Sequence, residues 1–215
     1  MTSDHSATTS PLFSAIETRQ SIYGLSKSLP IPNGRVQDIV AHAITNCPSP
    51  FNTQSTRAVI LFGAEHDKLW NFADAALKQM MPEQAYQALA PRVAGFKAAY
   101  GTVMWFEDKA ALDGMAEKNP AVAGMLPQWS EHSSGMHQFF VWTALSVEGV
   151  GCNLQHYNFS PAFATQVLQE WKLPATWDLK SQLVFGAPKS GTFERDGPRP
   201  RTYLPVQERL LQFGN

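Results

Sequence analysis

Cysteine, dense positive charge and long apolar runs are all scarce in these 215 residues. Lys and Arg total 17 against 18 Asp and Glu, a formal net charge of -1, and no basic block stands out except near the C-terminus. Bulk electrostatic attraction to nucleic acid or to an anionic membrane is therefore not expected. Two cysteines, Cys47 and Cys152, cannot build a disulfide framework, and two thiols in a chain of this size point to a reducing compartment. The longest apolar stretches, Ala58 to Ala64 and Phe139 to Leu145, fall far short of the roughly 20 residues that span a bilayer. Met1 to Ser10 is rich in Ser and Thr, with no basic start and no apolar segment, so residues 1–10 are expected to be a disordered tail and not a signal peptide. The expected location is cytoplasmic, with the nucleus also open to the chain.

What is present is the material of a core: 44% of residues are hydrophobic and 11% aromatic. A chain of this length buries roughly 70% of its unfolded surface without help from metal or disulfide. No internal repeat and no dividing linker is visible, so residues 11–215 read as one domain with a C-terminal arm over 202–215. Ser10-Pro11 opens a helix reaching about Thr18, with the hydroxyl as cap. Arg35 to Asn46 carries Val36, Ile39, Val40, Ala43 and Ile44 at helical spacing. Strands are expected from Ala58, over Tyr100 to Glu107 and over Trp177 to Gly186, with a turn-and-strand entry after Gly149. Helices are expected over Glu65 to Met80, Lys109 to Lys118 and Ser160 to about Trp171. Pro91 divides Pro82 to Ala99 into two shorter helices. A long helix over Trp129 to Glu148, bulky almost all round through Phe139, Phe140, Trp142, Thr143 and Val147, is expected at the centre of the molecule. Together these predict a mixed three-layer α/β arrangement.

Four polar groups recur where elements join. Arg19 and Ser21, two residues apart past the first helix, can both grip a phosphate, although such a spacing is also common on ordinary surfaces. Pro48, Ser49, Asn52 and Gln54 lie between a helix and a core strand. The two amides can donate and accept along the edge of a planar heterocycle, or can simply cap backbone groups. Gly149-Val150-Gly151 lets backbone N–H groups approach a ligand or serves as a plain turn, and it lacks the third glycine of a dinucleotide fingerprint. Arg199 and Arg201 form a basic pair suited to a phosphate or to an exposed turn.

Taken in order, Arg-x-Ser, Pro-Ser-x-x-Asn-x-Gln, Gly-x-Gly and the terminal basic pair resemble the FMN-dependent nitroreductase family. The runs Asn52-Thr53-Gln54-Ser55-Thr56-Arg57 and Gly151-Cys152-Asn153-Leu154-Gln155-His156-Tyr157-Asn158 are similar to its short fungal and bacterial branch, which is associated with nitro compounds, quinone-like acceptors and stress signalling. The resemblance covers nearly all of Phe13 to Phe213. It implies an α+β fold of three α/β/α layers with a mixed, mainly antiparallel sheet, and an intertwined homodimer with FMN at the interface and electrons drawn from NADH or NADPH. It further implies that Arg19 and Ser21 hold the phosphate or ribityl chain, with Arg199 and Arg201 closing on the phosphate. Asn52 would meet the flavin's polar edge, Pro48 and Ser49 the ring, and Gln54 would act across the subunit boundary. Gln20 stands where a second basic residue is often found, leaving one charge fewer among these contacts. Val150 and Gly151 would lie beside the ring, with turn N–H groups facing its reduced form.

On this reading the flavin carries the chemistry, no side chain is assigned a catalytic proton, and turnover is ping-pong. Phe96 and Trp129 are candidates for the side facing a small-molecule electron acceptor, with Met80 to Phe96 as a lid. Arg57 reads as an ion-pair member at the core edge or a ligand contact. His132 and His137, five apart without a partnering Cys or carboxylate, make a poor metal site. Cys152 reads as a buried, inert thiol. The alternative function is an FMN-binding, redox-sensing or regulatory protein with little turnover.

Overall fold

The sheet is built outward from one strand that water does not reach on either face. In the computed structural model, which describes residues 10–191 and 202–214, β2 (Gly101–Asp108) is buried along all but its last residue. It pairs antiparallel with β1 (Thr56–Phe62) on one side and β4 (Trp177–Gly186) on the other. β3 (Gly151–Gln155) pairs antiparallel with β4, giving the order β1-β2-β4-β3. Val103 and Trp105 face one layer, packed with Val36, Val141 and Leu145. Met104 and Phe106 face the other, with Leu69, Trp70, Phe96 and Phe163. Side chains alternating on a strand covered on both faces account for its unbroken apolar run. Close approach is enforced at Gly101, where a Cβ would sit 2.3 Å from Phe185 Cζ and 2.7 Å from Leu61 O.

Two helices, α2 (Asn33–Asn46) and α6 (Leu126–Val147), cover the first face. α3 (Gly63–Met80), α4 (Glu83–Lys97) and α7 (Pro161–Glu170) cover the second. α1 (Pro11–Thr18) precedes them and α5 (Lys109–Lys118) follows β2. The result is α+β in three layers, as expected. The sheet differs from the mixed one anticipated: all four strands pair antiparallel, and the parallel pairing found among the described residues is the isolated bridge of Ser21 with Cys152.

Three local expectations are corrected. Pro91 does not divide its region, because α4 runs through it. The lost hydrogen bond and ring clash of an internal proline are offset by Val93 and Phe96, which stay buried beyond it. Ser10 precedes α1, but its side chain makes no capping bond, whereas Ser160 accepts from Phe163 N–H at 3.2 Å before α7. The long helix is not buried all round. α6 turns Ser130, Ser133, Ser134, His137, Val141 and Leu145 inward, while Phe139, Phe140 and Val147 are exposed. Small residues let the helix lie close to the sheet, and its bulky side chains are left facing outward.

The described part of the C-terminal arm, 202–214, holds a single short turn and is exposed throughout. The expected N-terminal tail, apart from Ser10, lies outside the described residues, as do Arg199 and Arg201. No helix among the described residues is long and apolar enough to cross a membrane.

Candidate functional site

After α1 the chain runs as a strap along the edge strand β3. Arg19 closes the helix, its N–H bonded to Ala15 O at 3.1 Å. Ile22 N–H then reaches Cys152 O at 2.9 Å, and the Asn153 side chain donates back to Ile22 O at 2.8 Å. Gln155 in turn donates to Asn153 Oδ1 at 2.8 Å. On the helical side, Trp142 Nε1–H donates to Gln20 O at 3.3 Å, and the Arg19 guanidinium lies 4.5 Å from the centre of the Trp142 ring. A planar cation is thus held against an aromatic face, with Ser21 two residues on and both side chains half-buried. The amides of the Asn-Leu-Gln run secure this strap to the sheet.

The second polar junction is the turn between α2 and β1. Phe51, Asn52 and Gln54 all adopt left-handed backbone angles, φ 53°, 54° and 49°. Each costs free energy for a residue with a Cβ. Bonds within the turn hold it: Asn52 N–H to Ser49 O at 2.9 Å, Thr53 N–H to Pro50 O at 3.0 Å and Gln54 N–H to Ser49 Oγ at 2.9 Å. Pro48, Asn52 and Gln54 are exposed and Ser49 is half-buried. Trp129 of α6 lies beside the turn, its ring centre 6.1 Å from that of Phe51. Beneath the turn is a cavity of about 90 Å³ lined by Cys47, Ser49, Gln54, Arg57 and His137, among others. Burial pushes the Cys47 thiol up and the His137 imidazole down. His137 Nδ1 lies 2.7 Å from Ser133 O, which can only accept, so Nδ1 carries the proton and Nε2 is the acceptor.

Other expected contacts lie elsewhere. Val150 has no exposed surface and packs in the core. Gly151 is buried, with its Cβ position 2.7 Å from Leu25 Cδ2. The N–H groups of Gly149 and Val150 are used at Ser146 O and Leu145 O, so these donors serve the turn itself and not a bound ring. Phe96 is a core residue, 4.9 Å from Trp70 and 6.1 Å from Tyr157 between ring centres, and does not face a substrate. Cys152 is fully buried and its thiol is pushed well up by that burial, which leaves no thiolate.

A family model described as the nitroreductase family matches residues 16–187. The chain belongs to the nitroreductase family. It is 34% identical to the nitroreductase FRM2 of Saccharomyces cerevisiae over 176 residues, 81% of this chain and 86% of that one. To HBN1 of the same yeast it is 33% identical over 191 residues, 88% of this chain and 91% of that one. The nitroreductase CinD of Lactococcus lactis, solved with nicotinic acid, superposes with a TM-score of 0.83 at 34% identity, covering 94% of this chain and all of that one. A nitroreductase of Desulfitobacterium hafniense solved with bound FMN shares the fold at a TM-score of 0.62 and 17% identity, covering 94% of this chain and 97% of that one.

In this member of the family, strap and turn are the two places where the expected polar side chains are accessible among the described residues. Sequence reasoning missed what lies under the turn. Glu107, 1% exposed, accepts from Ser55 Oγ at 2.5 Å and Thr56 Oγ1 at 2.7 Å. Arg57 pairs with Asp108 at 3.0 Å and donates to Gln54 O at 2.6 Å, which settles Arg57 as an ion-pair member. The register of Thr56 opposite Glu107 is a property of strand pairing that no local pattern announces.

Proposed function

We propose that the chain is an FMN-dependent oxidoreductase that takes electrons from NADH or NADPH and passes them to nitroaromatic or quinone-like acceptors, as a homodimer in the cytoplasm. The observation that carries this reading is the left-handed turn at Phe51–Gln54, which keeps the Asn52 and Gln54 amides exposed on a backbone fixed in advance. Strain held at one exposed turn motivates a role in recognition, and paired amides suit the alternating donors and acceptors of a flavin edge. Arg19, steadied on Trp142, and Ser21 supply a cation and a hydroxyl for the phosphate end. The donor set fits FMN at both ends. Pro48, Ser49 and Gln20 would contribute at its margins, and Trp129 would border the acceptor.

When bound, FMN supplies the hydride and electron transfer. The chain's own residues bind and orient it, and none is assigned a proton to carry. Relatives support the acceptor class: CinD has been solved with chloramphenicol and with 4-nitrophenol. The homodimer is favoured by apolar side chains that one chain leaves uncovered, among them Leu12, Phe13, Phe139, Phe140, Leu211 and Phe213.

The test is spectroscopic. Purified protein reconstituted with FMN should be yellow, bleach on addition of NADH or NADPH, and recover its colour with 4-nitrophenol. Protein that binds FMN but stays oxidised with both nicotinamides would point to the redox-sensing or regulatory alternative. Protein that cannot retain FMN would refute both readings.

A further inference from the structure

Three of the four non-glycine residues with left-handed backbone among the described residues fall in one four-residue turn. The turn's internal bonds close it towards α2, at Ser49 and Pro50. Something must also hold its other end, because Gln54, left-handed itself, leads directly into Ser55 and β1.

Two consecutive acids at the end of β2 provide that hold. Glu107 receives the Ser55 and Thr56 hydroxyls, one on each carboxylate oxygen. Asp108 donates its N–H to Ser55 O at 2.9 Å and accepts from Arg57 Nη2 at 3.0 Å. The other arm of the same guanidinium spans back to Gln54 O at 2.6 Å and Thr56 O at 3.1 Å. Arg57 therefore ties the last left-handed residue of the turn to the sheet. A fork of fixed geometry can bond a carboxylate and a carbonyl at once, which a single ammonium does poorly. Asp108 is itself anchored, since its Oδ1 accepts Ala110 N–H at 3.2 Å at the start of α5.

We propose that Arg57 is a positioning residue which, braced on Asp108 and beside the Glu107 anchor, holds the Phe51–Gln54 turn in its left-handed form and so sets the turn's affinity for FMN. The affinity half of this rests on the FMN reading above; the conformational half does not. Without the brace, the turn relaxes to ordinary backbone angles, and its exposed amides lose their fixed aim. Binding must then restore that order, which weakens apparent affinity by the fraction of molecules in the competent form.

The experiment is hydrogen exchange at the amides of Asn52, Thr53 and Gln54 in the FMN-free full chain, alongside FMN titration and thermal melting. Wild type, Arg57→Ala and Arg57→Lys are compared. Arg57→Ala should raise exchange at these three amides by about tenfold or more and weaken the FMN Kd by a similar factor. Arg57→Lys keeps the charge beside Asp108 and guards against a variant that fails to fold. It should stay near wild-type melting yet still show raised exchange and weakened FMN binding. Saturating FMN should return the amides of both variants to wild-type protection. Exchange at Asn52–Gln54 unchanged in Arg57→Lys and in any folded Arg57→Ala would overturn the positioning role. Raised exchange with an FMN Kd within twofold of wild type would overturn its link to affinity. Wild-type protein that binds no FMN would instead sink the functional reading, while the exchange comparison would still decide the brace.

Discussion

His66 should make the protein lose stability in mild acid, by an amount the structure allows to be worked out. Its ring is fully buried near the start of α3. Nδ1 lies 2.9 Å from Thr102 Oγ1 and Nε2 3.3 Å from Lys97 O, while Trp70 Nε1–H donates to the same Thr102 oxygen at 3.1 Å. One proton arrangement satisfies all three contacts: Nε2–H donates to Lys97 O, and the Thr102 hydroxyl donates to Nδ1. The imidazole is then neutral. Burial, opposed in part by Asp67, lowers its pKa from 6.5 to about 4. A lowered folded-state value means that the unfolded chain binds the proton first. The stability this group contributes is complete above about pH 6.5 and is lost as pH falls towards 4. A gap of about 2.5 pH units at ~1.4 kcal/mol each gives about 3 kcal/mol. Urea unfolding of wild type and His66→Gln should be followed between about pH 7.5 and pH 4. Gln cannot titrate, so the difference between the two proteins isolates His66. That difference should shrink by about 3 kcal/mol across the range; a constant difference would refute the neutral, buried assignment.

Glu107 should behave with the opposite sign. Burial raises its carboxyl against the lowering effect of the Ser55 and Thr56 hydroxyls, so the stability it contributes is present below the unfolded carboxylate range and is lost as pH rises through its elevated value. Glu107→Gln should therefore gain on wild type in Tm between about pH 4 and pH 7, and a gap independent of pH would contradict the shift. Arg19→Ala should cost about 1.5–3 kcal/mol of FMN binding, roughly 10- to 100-fold in Kd by titration. Arg19→Lys should fall between, because it keeps the charge but not the flat contact with Trp142. Phe140, 36% exposed and stacked on His42 at 5.5 Å, lies on the outward face of α6. Phe140→Asp should leave the chain folded by circular dichroism and shift sedimentation from dimer to monomer.

Local chemistry was enough to draw most of the elements. Helical spacing in Val36, Ile39, Val40 and Ala43 marked α2, and β-branched and aromatic density marked β2 and β4, because both signals reside within a few residues of each other. Ser160-Pro161 marked the start of α7 for the same reason. The polar junctions were legible too: Arg19, Ser21, Asn52 and Gln54 stand where elements meet, and the structure leaves them accessible to varying degrees. Tertiary packing decided the rest. Pro91 passes inside a helix because Val93 and Phe96, buried just beyond it, outweigh its local penalty. Phe96 and Val150 went into the core because three layers had to close over the sheet. The inward face of α6 is lined by serines because closeness to β2 favours small side chains over apolar ones. Nothing local foretells left-handed geometry at Phe51 or Gln54, since only Asn52 among them tolerates it readily. That geometry is held by Arg57 with Glu107 and Asp108, and strand register alone brings the two acids beneath the turn.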